Sequence, residues 1–211
     1  MNTPRSASSR GWSGVAALTL ALVLTGCGSA GGTDVPGASS QPTSSSKPSA
    51  EESSPHSDKG EDTDLATAEF SLSWEDALDQ AKQKFDGDVS SIELGWESTQ
   101  FVYTVKLLSD TEEYKTLIGA DSGEVLNEET EAMDKDDVAE KSAEVIDISK
   151  IVPWTKARDA ALDAVTGRID EWKLEGTGKG PHYQFDIAPG AGHDIEVTIA
   201  AYTGEVVSQG D

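Results

Sequence analysis

The sequence predicts an α+β fold of two tandem repeats after a disordered tether, each repeat an N-terminal helix packed on a small antiparallel β-sheet of meander form. Three observations carry this. Trp74, Ala77, Ala81, Gly87, Leu94 and Tyr103 recur as Trp154, Ala157, Ala161, Gly167, Leu174 and Tyr183. After one extra residue, which falls in a loop, Ala120, Gly123, Glu124 and Val125 recur as Ala201, Gly204, Glu205 and Val206. Within each copy the apolar spacing changes from helical to alternating, while the stretch upstream carries almost nothing to bury.

Residues 1–26 read as a lipoprotein signal peptide. Arg5 and Arg10 precede an apolar run from Trp12 to Leu24 that is short for a membrane span. Leu24-Thr25-Gly26-Cys27 follows, so Cys27 is expected to become the lipidated mature N-terminus. It is the single cysteine, which excludes disulfides within the chain and any site built on several thiolates. Two acyl chains anchor a protein firmly without a transmembrane helix, so the expected address is the extracytoplasmic face of the cell membrane; the tether that follows favours a Gram-positive surface over a Gram-negative periplasm. Residues 27–64 are rich in Ser, Gly, Pro and Thr and form the tether, with a relaxed reach of roughly 35 Å and a taut one of roughly 120 Å.

Repeat one is placed at 65–127. Trp74, Ala77, Leu78, Ala81 and Phe85 share one helical face, Ser73 supplies a start signal, and Gly87 is expected to end the helix in a left-handed conformation. Ile92, Leu94 and Trp96, then Phe101 to Leu107, Tyr114 to Ala120, and Val125-Leu126 read as strands. Residues 128–149 are dominated by acids and read as a solvated linker with a helical turn or two. Repeat two, 150–211, restates the pattern from Trp154, with Pro153 at the helix start and Gly167 at its end. Gly123 and Gly204 supply a positive φ between strands, and Ser122 and Thr203 can bond the local backbone.

These residues resemble the PepSY domain, a module of thermolysin-like protease propeptides and bacterial envelope proteins. The resemblance rests on Ser73-Trp-Glu-Asp-Ala-Leu, Tyr103 and Ala120-Asp-Ser-Gly-Glu-Val-Leu, and in copy two on Trp154 to Leu162, Tyr183 and Ala201-Tyr-Thr-Gly-Glu-Val-Val. The family commonly carries an Asp before the Ala of that turn, where this chain has Gly119 and Ala200. The resemblance implies a non-enzymatic role in binding or restraining another protein, such as a secreted peptidase. An extracytoplasmic sensor or accessory subunit is the alternative, followed by a metal-binding protein or hydrolase. A β-lactamase-inhibitor-like protein, which also repeats a helix-and-sheet unit, stands further off.

No catalytic residue, cofactor or metal site is assigned. His56 falls in the tether, leaving His182 and His193, which read as flanking one hairpin with Asp186 or Asp194 near enough for a weak metal site. Gly176-Thr-Gly-Lys-Gly180 lacks the spacing of a phosphate loop and reads as a flexible hairpin. Asp134-Lys-Asp-Asp137 lacks the pattern of a calcium loop. The tryptophans at 74, 96, 154 and 172 read as core or sheet-face residues, Trp96 standing out because its counterpart is Gly176. A formal charge of -23 argues against nucleic acid and anionic membrane as direct partners. No small-molecule substrate is evident, so the expected partners are the membrane, through the anchor, and an envelope protein.

Overall fold

A computed structural model describes residues 59–190 and 192–210; the signal segment, Cys27 and the tether up to residue 58 lie outside the described residues. Helix α1 (Trp74–Lys84) leads into β1 (Asp88–Glu97), β2 (Gln100–Leu108), β3 (Glu112–Gly119) and β4 (Val125–Ala132). A short α2 (Lys135–Lys141) follows. Helix α3 (Trp154–Ala164) then opens the second copy, with β5 (Arg168–Glu175), β6 (His182–Ala188), β7 (Ile195–Ala200) and β8 (Val206–Gly210).

The local reasons match the residue types. The Ser73 hydroxyl oxygen accepts from the Asp76 N–H at 3.1 Å, and Glu75 and Asp76 in the first turn against Lys82 and Lys84 in the last complement the helix dipole. Gly123 and Gly204 have φ of 66° and 79°, while Ser122 Oγ and Thr203 Oγ1 accept from the N–H groups of Glu124 and Glu205. The extra residue of copy two falls in the β6–β7 loop, because Leu107 pairs with Tyr114 just as Ile187 pairs with Ile195.

Both copies share one antiparallel sheet in the order β4-β3-β2-β1-β5-β6-β7-β8. The join is β1 on β5, with Ile92 opposite Leu174, Glu93 opposite Lys173 and Leu94 opposite Trp172. In repeat numbering these pairs are reciprocal, so a pseudo-twofold axis passes between Glu93 and Lys173. Ile92, Leu94, Tyr103, Val105, Trp172, Leu174, Phe185 and Val197 join Ala77, Ala81, Ala157 and Ala161 in one continuous buried cluster. Helices α1 and α3 therefore cover the same sheet face, and the two copies fold around a single core. Small alanines on the buried helix stripes let both helices lie close to the strands.

Four sequence expectations change. Gly87 and Gly167 are not left-handed caps: the helices stop at Lys84 and Ala164 with extended Phe85 and Val165 following. A Cβ at those glycines would instead crowd the carbonyls of Leu108 and Ala188, which are repeat equivalents. Strand β4 runs to Ala132, well into the stretch read as linker; every one of its residues is exposed, so no apolar alternation marks it. The folded chain also begins before Leu65, with Lys59 paired to Asp121 at 2.7 Å and Asp62 to Arg168 at 3.3 Å. Lastly, Gly176 is not part of a loose hairpin: its N–H donates to the Ser90 carbonyl at 2.8 Å, and the Glu144 carbonyl occupies the space a side chain would need.

Candidate functional site

The segment leading into each helix is held twice. Close to the helix, the Leu72 N–H donates to Ala120 and the Val152 N–H to Ala201, while the Tyr103 and Tyr183 hydroxyls donate to the carbonyls of Leu72 and Val152 at 3.1 and 2.9 Å. Burial pushes both phenols well above their ordinary range, with Glu75 adding to the shift at each. Farther upstream each segment crosses to the other copy. Leu65 bonds Ile169 on β5, and Ile146 bonds Val89 on β1, at equivalent positions beyond the two ends of the short β1–β5 ladder.

Between these segments the starts of α1 and α3 face each other over Leu94 and Trp172. Trp74, Trp154, Tyr103 and Phe70 line an apolar cleft of about 420 Å³ there. Trp154 lies against Trp172 with ring centroids 5.9 Å apart, and the Arg158 guanidinium lies 5.2 Å from a Trp154 ring centroid. Trp74 and Trp154 are half-buried, as core residues at the margin of the aromatic cluster.

The sheet face opposite α1 and α3 is charged. Glu93, Glu171, Gln184, Asp186 and Glu196 surround a small hollow there together with Lys173. Burial, then Glu93 and Asp186, push the Glu171 carboxyl up to about 7. Asp186 is raised as well, by burial first and then by Glu196 and Asp194. The sheet ends at two edges of different character. Strand β4 carries Glu128, Glu129 and Glu131; β8, Val-Val-Ser-Gln-Gly, carries no charge and leaves Val206 and Val207 44% and 54% exposed.

The candidates read from the sequence scatter. His182 opens β6 beside Glu175 and Ala200, whereas His193 lies in the loop beyond the other end of that strand, so they do not flank one hairpin and share no site. Asp134 caps α2 by accepting from the Asp136 and Asp137 N–H groups, and Asp137 returns the contact, which explains that acidic run as a capping box. Trp96 packs edge-on to Phe101, a place that in copy two is taken by the chain passing over Gly176. Among the described residues no group of three or more His, Cys, Asp and Glu side chains is arranged to hold a metal ion. Nor is any described helix long and apolar enough to cross a membrane. What sequence reasoning missed is the seam itself and the contrast between the edges, although the glutamates of 128–131 against the uncharged 206–210 were a readable signal of the latter.

Residues 71–129 and 153–209 each match the model of the family described as "Peptidase propeptide and YPEB domain", PepSY, and the chain belongs to that family. The matched segments coincide with the two helix-plus-sheet copies. A candidate lipoprotein from Clostridium difficile 630, known from a crystal structure, is similar over 70% of this chain and 97% of its own, with 28% identity and a TM-score of 0.63. That correspondence extends the likeness to the paired arrangement, since it spans more than one copy. No curated protein matches the chain.

Proposed function

We propose that this is a non-enzymatic, lipid-anchored protein of the extracytoplasmic face whose paired PepSY domains bind or restrain a protein partner, a secreted peptidase. The observation that carries the reading is the fusion of two propeptide-type units into one sheet whose outermost strands, among the described residues, are β4 and β8, edges suited to holding polypeptide. The likeness to a candidate lipoprotein supports the anchored address, in keeping with Leu24-Thr-Gly-Cys27.

The test is titration of the purified full chain into a secreted thermolysin-like peptidase. Dose-dependent, saturable inhibition is expected, with the chain itself remaining intact and hydrolysing neither peptide, ester nor sugar substrates. Turnover by the chain alone, or peptidase activity untouched at saturating chain, overturns the proposal.

A further inference from the structure

We propose that the partner docks at β8, adding an extended segment with a basic side chain opposite Gly210 as the next strand of the sheet; this rests on the reading of the chain as a protein-binding module. Strand β8 pairs with β7 alone among the described residues, so alternate backbone groups along its other side are free for a ladder. At the opposite edge, glutamates 128, 129 and 131 guard β4 against casual pairing. In a chain of net charge -23 the five residues of β8 have none.

The partner's chemistry follows from comparing one row of side chains across the two copies. In repeat one, Ser91, Lys106, Lys115 and Glu129 stand in register across β1 to β4. The row thus carries two lysines and, on the edge strand beside them, a residue of opposite sign. The equivalent row in repeat two is Glu171, Asp186, Glu196 and Gly210, across β5 to β8. Here three acids run toward the edge, and the position that should answer them is a glycine beside which an added Cβ would meet nothing within 4 Å. Neighbouring strands lie roughly 4.8 Å apart, so a residue added opposite Gly210 is about two spacings from Glu196, within reach of a Lys or Arg lying across the glycine. The counter-charge that repeat one supplies from its own edge is left in repeat two to the incoming strand. Burial first, and then the like charges of Glu196 and Asp194, raise Asp186, and a cation in this row offsets the second of these.

The probe is a fluorescein-labelled peptide of alternating valine and lysine, followed by anisotropy against the full chain, with two control peptides: one with glutamate for lysine, one N-methylated along the backbone. Binding of the first alone is expected. Gly210→Lys, which supplies the cation from within, and Glu196→Gln should each weaken it by about tenfold. Val207→Pro should do the same through the backbone, while its repeat equivalent on the other edge, Leu126→Pro, should leave affinity within about twofold. Equal binding of the N-methylated or glutamate peptide, an unchanged Gly210→Lys, or equal losses at Leu126 and Val207 overturns the inference. So does a concentration-dependent dimer abolished by Val207→Pro, which would make a second copy the occupant. Peptidase inhibition that persists without peptide binding rejects only the β8 edge. Peptide binding without inhibition rejects only the peptidase as partner.

Discussion

The backbone N–H of Leu65 donates to the carbonyl of Ile169 at 2.9 Å, so a residue ahead of the first helix is stitched to the first strand of the second repeat. The matching bond from Ile146 to Val89, at 2.8 Å, runs the other way. Each copy thus completes its partner, and stability should be shared.

Leu65→Ala and Ile146→Ala remove side chains that are 3% and 4% exposed. Each should cost about 2–4 kcal/mol, and the loss should appear as one cooperative transition in denaturant melts followed by tryptophan fluorescence. Two separable transitions would show that the copies unfold independently.

Gly176→Ala should destabilise by about 1–3 kcal/mol, because the Glu144 backbone must move to admit a methyl group. Gly178→Ala, where a Cβ meets nothing within 4 Å, is the control and should change little in the same melts.

Stability should depend on Glu171 in mild acid. Its folded-state pKa of about 7 stands above the ordinary 4.5, so the folded chain binds the extra proton between those values. Stability contributed by this group therefore grows as pH falls from about 7 to about 4.5 and is absent above 7. Asp186, raised as well, acts in the same direction. Glu171→Gln should flatten the rise in melting temperature between pH 7.5 and pH 5; an unaltered slope would mean that other groups produce it.

Tyr103→Phe and Tyr183→Phe should each cost about 1 kcal/mol by leaving the carbonyls of Leu72 and Val152 without the hydroxyl donor. In the unsubstituted protein both phenols should resist ionisation in alkali until unfolding, read as the difference in tyrosinate absorbance between parent and each Phe variant. A folded-state tyrosinate signal that disappears in either Phe variant would contradict their burial.

Cys27→Ser should release the protein from membranes or leave it as an uncleaved precursor, read by detergent-phase partitioning and the mature N-terminus. Unchanged partitioning would refute lipidation.

The helices and the turn glycines were legible because their signals are local. Ser73, the alanine stripes and Gly123 and Gly204 act within a few residues of themselves. Strand β4 was not legible past Leu126, since an edge strand with no buried face has no reason to alternate. The seam escaped for another reason. Ile92, Leu94, Trp172 and Leu174 would face a core whether their strands lay at a sheet centre or at an edge, so the pairing of β1 with β5 leaves no mark on period or composition. Gly176 was readable only as a breaker, because the obstacle that demands it, Glu144, lies far away in sequence. At the docking edge, charge could be read directly, but the row from Glu171 to Gly210 exists only once the register is known.

Glu93 stands opposite Lys173 across the pseudo-twofold axis. Were the two halves identical chains, the residue on the axis would meet itself, and a glutamate there would set like charges opposite one another. Joining the halves in one polypeptide removes that constraint, because the two positions can then drift apart in type. One side is an acid and the other a base, an arrangement closed to any assembly with true symmetry. A first half therefore meets its own second half without the clash of like charge that two first halves would bring.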